Sequence, residues 1–277
     1  MKRFTVGVIQ VDSQDDKQKN LADAAGYIAE AAARGAKLIC MPESVNYVGP
    51  DNKGNAEEVP GGESFQFFAA QAQKYDVWLH CGSIYEKHAD DARPPYNCTM
   101  VINPAGELVA RYRKAHPFDV VIENGPSVRE SDRISPGDAL VTVDTGEVGH
   151  LGLSICYDMR FGEMYRIMAL EGAQILLCPA DFTLNTGKDH WEAILRTRAI
   201  ENSCYVIAPA QIGIKPKFQA YGNSLVIDPW GNVIARASNR PGVLTAEIDL
   251  DYVTAVRRQL FTLENRRTDL YTLARTK

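Results

Sequence analysis

The chain has 277 residues, 45% hydrophobic and 23% charged, with a formal net charge of -5. That length suits one large hydrophobic core, and the composition excludes the disordered and fibrous classes. Scattered Lys and Arg argue against a nucleic-acid face, no stretch has the length of a membrane-spanning helix, and residues 1–10 lack the apolar length and cleavage site of a signal peptide, so cytoplasmic residence is expected.

Residues 4–10 form an apolar run rich in β-branched side chains, which predicts a buried strand. Leu21, Ala24, Ala25, Ile28, Ala31 and Ala32 recur at helical spacing and predict a helix over about 18–34, stopped by Gly35. Residues 37–41 read as a strand ended by Pro42, 64–75 as a helix, and 77–84 as a strand. Residues 96–103 and 107–113 read as a hairpin turning at Pro104-Ala105-Gly106. Residues 115–138, rich in Pro, Gly, Asp and Ser, read as a long loop, and long loops in compact domains are often functional. Strands follow at 139–143 and 150–155, a helix near 162–171, a strand at 174–178, a helix near 189–202 and a strand at 205–209. A second hairpin spans 222–228 and 232–237, then a strand at 242–248 leads to a helix near 250–259. Interleaved strands and helices predict an α/β layered domain. The matching hairpins hint at two related halves.

Six cysteines, Cys40, Cys81, Cys98, Cys156, Cys178 and Cys204, sit mostly in apolar runs without Cys-x-x-Cys spacing, so reduced, buried thiols are expected rather than disulfides or a zinc site. No clustered histidine or carboxylate pattern suggests any other metal site.

Three sites share one grammar: a strand ends and a reactive side chain follows. Glu43 follows the strand ending at Met41-Pro42, Lys114 follows 109–113, and Cys156 follows 151–155. In layered α/β proteins, sites collect where strand ends meet loops. A sharp turn at Cys156 would expose a nucleophile and aim backbone N–H groups at a carbonyl, and a helix start there would favour the thiolate. Glu43 suits a general base, and Lys114 a clamp for a developing oxyanion. Taken singly, each has an ordinary explanation: a buried thiol, a surface glutamate, a solvated lysine. His80, His88, His116, His150 and His190 are candidate bases of a papain-like arrangement by type, but none is tied to Cys156 by sequence.

Together, Met41-Pro42-Glu43, Tyr112-Arg113-Lys114-Ala115-His116 and Ile155-Cys156-Tyr157-Asp158-Met159-Arg160-Phe161 resemble the nitrilase (carbon–nitrogen hydrolase) superfamily, which uses a glutamate, a lysine and a cysteine in this order. The resemblance runs nearly end to end, through Ile134-Ser135-Pro136-Gly137-Asp138, His190-Trp191, Asp228-Pro229-Trp230-Gly231 and Arg266-Arg267-Thr268-Asp269-Leu270-Tyr271. Within it the chain is most similar to the omega-amidase and deaminated-glutathione amidase branch. The resemblance implies a four-layer α-β-β-α sandwich and a homodimer or higher homo-oligomer. It also implies a second, positioning glutamate, matched by Glu130, with Glu123 as the lesser candidate. Three segments depart from the branch and bear on the substrate: Asp181 where a small residue is usual, Lys188-Asp189 where Pro-Ala is common, and His116-Pro117-Phe118 after the lysine.

The expectation is one carbon–nitrogen hydrolase domain over 1–277, with residues from about 260 a tail used in subunit contacts. It would hydrolyse a small, carboxylate-bearing amide to acid and ammonia through a thioester on Cys156, without a metal or cofactor. Glu43 would be the base, Lys114 and the Tyr157 N–H the oxyanion donors, and Glu130 the residue that keeps Lys114 and Glu43 in register. Arg160, Phe182, His190 and Trp191 are candidate pocket residues, with Arg160 either pairing with a substrate carboxylate or with Asp158 or Glu163. The competing readings are an N-carbamoyl-amine hydrolase, a nitrilase, and a catalytically silent binding protein on the same fold.

Overall fold

The computed structural model describes residues 2–121 and 127–276. The first half runs β1 (Arg3–Gln10), α1 (Lys17–Ala33), β2 (Ala36–Cys40), α2 (Glu63–Tyr75), β3 (Trp78–His80), β4 (Ile84–Glu86), β5 (Tyr96–Ile102), β6 (Leu108–Arg113), β7 (Asp119–Val121) and β8 (Ser127–Arg129). The second runs β9 (Val141–Asp144), β10 (His150–Leu153), α3 (Gly162–Leu170), β11 (Ile175–Leu177), α4 (Leu184–Asn202), β12 (Tyr205–Ala208), β13 (Ile212–Ile214), β14 (Gln219–Tyr221), β15 (Leu225–Ile227), β16 (Val233–Arg236), β17 (Gly242–Asp249) and α5 (Leu250–Leu260).

Two large sheets result, one in the order β17-β1-β2-β3-β5-β4 with β6 on β5, the other β16-β15-β12-β11-β10-β9. Each is built on three parallel strands, β1-β2-β3 and β10-β11-β12, flanked by antiparallel ones, so the halves do share an order of elements. Alternation along the strands makes the layers. Val6, Val8, Leu38 and Cys40 face the second sheet and join one core with Leu151, Leu153 and Ile175. Ile9, Ile39, Met41 and Leu79 point the other way, onto Ile28, Ala31, Phe68 and Ala72 of α1 and α2. Helices α3 and α4 cover the second sheet through Met164, Met168, Trp191, Leu195 and Ala199. This is the α-β-β-α sandwich, and it gathers the C-terminal ends of β2, β6, β10 and β11 around one site.

Three segments differ from expectation. The strand expected over 77–84 breaks into β3 and β4 at Gly82, whose φ is +61° and where a Cβ would lie 1.9 Å from the Pro42 carbonyl oxygen. The expected loop 115–138 contains the antiparallel strand pair β7 and β8 and a 3₁₀ turn at Glu130–Asp132. Helix α4 begins at Leu184 rather than near 189, because its polar first turn is held by tertiary packing: Gly187 lies flat under Tyr221 of β14. The β13–β14 hairpin itself, three residues per strand, carries too little alternation to be read from sequence.

The closeness of α1 to β1 is set by Gly7, where a Cβ would come within 2.8 Å of the Ala31 Cβ. Gly7→Ala should therefore cost about 1–3 kcal/mol in chemical denaturation; unchanged stability would contradict this packing.

Candidate active site

Glu43 is carried past the end of β2 by a loop pinned to the segment after Gly82. The Ser44 N–H donates to Ser83 Oγ at 2.9 Å, the Val45 N–H to the Ser83 carbonyl at 3.0 Å, and the Gln211 amide to the Glu43 carbonyl at 2.9 Å. Its carboxylate is also fixed. Oε1 accepts from Asn97 Nδ2 at 2.8 Å and Lys114 Nζ at 3.0 Å, and Oε2 accepts from the Asp181 N–H at 2.7 Å.

Lys114 extends β6 by one residue. Its N–H donates to the Asn97 carbonyl at 2.8 Å, so Asn97 of β5 ties the backbone of Lys114 to the side chain of Glu43. The Lys114 ammonium also donates to both oxygens of Glu130, at 3.1 and 2.8 Å. Glu130 starts the 3₁₀ turn after β8 and accepts from the Phe118 N–H at 2.5 Å. Side-chain exposures of 2% for Lys114, 5% for Glu43 and 19% for Glu130 put the trio in a low-dielectric site. Burial disfavours the Lys114 charge, but Glu130 and Glu43 outweigh it and hold its pKa well above the usual range. Burial raises the pKa of Glu130, with Lys114 opposing.

Cys156 stands at the turn between β10 and a 3₁₀ turn, Cys156–Arg160, with φ +49° and its N–H on the Pro179 carbonyl at 2.9 Å. Asp158, fully buried, braces this turn. Its Oδ2 accepts from the Ile155 N–H at 2.9 Å and the Tyr112 hydroxyl at 2.7 Å; its Oδ1 meets the His116 N–H at 3.1 Å and His116 Nδ1 at 2.7 Å. Tyr112 and His116 flank Lys114, so one carboxylate joins the cysteine turn to the lysine strand. Among the described residues the Tyr157 N–H meets no acceptor.

A cavity of ≈ 400 Å³ is lined by Glu43, Lys114, Glu130, Cys156, Asp181 and Phe182, with Arg129, Arg133 and Lys217 also on its wall. The four polar candidates and Phe182 thus meet in one place. The other pocket candidates do not. Trp191 is fully buried behind Phe182, ring centroids 5.3 Å apart, with its indole N–H on the Asn223 carbonyl. His190 is solvent-exposed, 3.3 Å from the Arg160 guanidinium. Arg160 sits over Phe182, 5.5 Å from its ring centre, outside the cavity wall; the pairing expected with Asp158 or Glu163 is absent among the described residues, since Asp158 is occupied as above. Glu123 lies outside the described residues. Sequence reasoning missed Asn97, whose only signal was its place on a strand beside that of Lys114, and Lys215, a buried lysine in the unassigned stretch between the strand at 205–209 and the hairpin from 222.

Among the described residues no histidine lines the cavity. His80 is fully buried on Thr99 and its pKa is pushed down to about 3 by burial. The thiolate-favouring turn expected at Cys156 is outweighed: burial, then Glu43, push the thiol pKa well above its usual value, with Lys114 opposing. Cys156 is therefore held as a thiol in the same cavity as Glu43, and a cysteine so placed would need a general base to act as a nucleophile. Among the described residues no three His, Cys, Asp or Glu side chains are placed to hold a metal ion. Alkylation of Cys156 by iodoacetamide, followed by intact mass, should keep accelerating as pH rises through 9; a plateau below pH 8 would show a stabilised thiolate instead.

The chain matches the Carbon-nitrogen hydrolase family over residues 5–258. It is 41% identical to the deaminated glutathione amidase of Bos taurus over 271 residues, 96% of this chain and 83% of that protein. It is 38% identical to the omega-amidase NIT2 of Homo sapiens over 281 residues, the whole of both chains. Among solved structures, the Caenorhabditis elegans NitFhit protein superposes with a TM-score of 0.91 at 39% identity, over 99% of this chain and 67% of that one. Saccharomyces cerevisiae Nit3, a member of branch 10 of the nitrilase superfamily, superposes with a TM-score of 0.87 at 31% identity, over 96% of this chain and 97% of that one.

Proposed function

This chain belongs to the carbon–nitrogen hydrolase family and is an enzyme that hydrolyses carbon–nitrogen bonds, and on that premise we propose that it cleaves a small, carboxylate-bearing amide to acid and ammonia through a thioester on Cys156. The observation that carries this reading is the Glu43–Lys114–Glu130 cluster opening with Cys156 into one cavity. Glu43 takes the thiol proton as sulfur attacks the amide carbon. The oxyanion forms against the Lys114 ammonium and the Tyr157 N–H, both preorganised in a site shielded from water. Glu43 then returns the proton to nitrogen, ammonia leaves, and the same carboxylate activates the water that releases the acid. Glu130 keeps Lys114 charged and in place. Arg129, Arg133 and Lys217 make the outer wall cationic, which supports a carboxylate on the far end of the substrate.

Residence in the cytoplasm and assembly as a homodimer or larger oligomer belong to the same reading. No described helix is long and apolar enough to cross a membrane. Phe261, Leu270 and Tyr271, exposed beyond α5, support a tail from about 260 that packs against a second copy.

Cys156→Ala should abolish ammonia release with the fold intact by circular dichroism, and mass spectrometry of the parent enzyme with a slow amide should find the acyl group on Cys156. Activity in the alanine variant, or an adduct on another cysteine, would refute the scheme; carbon dioxide released with the ammonia would instead mark a carbamoyl substrate.

A further inference from the structure

Asp181 is held where β11 runs out. The Ala180 N–H donates to the Pro209 carbonyl at 2.9 Å, the Gln211 N–H to the Ala180 carbonyl at 2.8 Å, and the N–H of Asp181 itself is spent on Glu43. Its side chain lines the same cavity as Cys156. Among the described residues neither carboxyl oxygen accepts a hydrogen bond, and Oδ1 is buried without a partner. Lys215, the cation whose charge acts most on Asp181, is engaged elsewhere: its ammonium donates to Asp12 Oδ1 at 2.9 Å, the Ser13 carbonyl at 2.9 Å and Gln211 Oε1 at 3.0 Å. Burial raises the Asp181 pKa to about 7, with Lys215 and Lys114 opposing and Glu43 and Asp12 adding to the rise. Asp181 is half-buried, but a carboxyl oxygen that is itself buried and left unpaired by the fold calls for a donor, which in a reaction chamber a ligand can supply.

Charge decides what that partner is. Lys215 also lines the cavity, but Asp12 matches its charge at 2.9 Å, so Glu43 and Glu130 against Lys114 leave one net negative charge before Asp181 is counted, whereas the exposed Arg129, Arg133 and Lys217 make the outer wall positive. The field runs from anionic at the reacting carbon to cationic farther out. We propose that Asp181 is a specificity-determining residue that receives an ammonium group on the carbon next to the scissile carbonyl, so that the preferred substrates are amides with a cation beside the reacting carbon and a carboxylate at the far end. This rests on the reading of Cys156 as the nucleophile, which fixes where the scissile carbonyl lies.

The test uses L-isoglutamine and glutaramate, which share skeleton, amide and distal carboxylate and differ only in the ammonium beside the amide. Calorimetric titration into the Cys156→Ala protein separates binding from turnover. L-Isoglutamine should bind at least about tenfold more tightly than glutaramate. L-Glutamine, whose ammonium lies at the far end, should gain nothing, and Asp181→Asn in the same background should bring the first ratio close to one. Equal or weaker binding of L-isoglutamine, no detectable binding of it, or a ratio unmoved by Asp181→Asn would overturn the proposal; should that double variant not fold, the first ratio alone decides. The nucleophile reading fails by a separate observation, the absence of an acyl adduct on Cys156 from any amide.

Discussion

A lysine charge buried between two carboxylates is the constraint on which this site depends. Lys114 has lost almost all contact with water, and an ion so placed is costly unless partners surround it. Glu43 and Glu130 repay the cost only from fixed positions. The fold therefore has to bring the end of β2, the end of β6 and the turn after β8 to one point. Asn97 serves that end by holding the Glu43 carboxylate with its side chain and the Lys114 backbone with its carbonyl.

The cysteine is brought to this cluster by the opposite sheet. Asp158 is the bridge between them, since it anchors the turn after Cys156 and accepts from Tyr112 and His116 on either side of Lys114. The two halves of the sandwich thus meet through a buried hydrogen-bond network as well as an apolar core. Burial keeps the thiol protonated, and the carboxylate beside it is oriented by three donors. Preorganisation of this kind lowers the reorganisation needed when charge develops on a substrate.

Much of this was legible in sequence for a physical reason. Apolar runs such as 151–155 and the helical spacing of Leu21, Ala24 and Ile28 report burial directly, and so the layers and the strand ends carrying Glu43, Lys114 and Cys156 could be read from them. What was not legible depends on distant backbone. The first turn of α4 is helical because Gly187 packs under Tyr221, and the break between β3 and β4 exists because the Pro42 carbonyl crosses Gly82. Trp191 and His190 are pocket candidates in the sequence, yet the helix turns one into the core and the other to solvent. Asp181 stood out as a departure, but its unpaired carboxyl is visible only in three dimensions.

The central claim is that acid, cation and thiol converge on one carbonyl. A crystal structure of the enzyme trapped with an acyl group on Cys156 tests it most directly. The account predicts the acyl oxygen within about 3 Å of both Lys114 Nζ and the Tyr157 backbone nitrogen, with Glu43 facing the carbonyl carbon across a water molecule. An acyl oxygen turned away from Lys114, with the ammonium still closed on its two carboxylates, would contradict it.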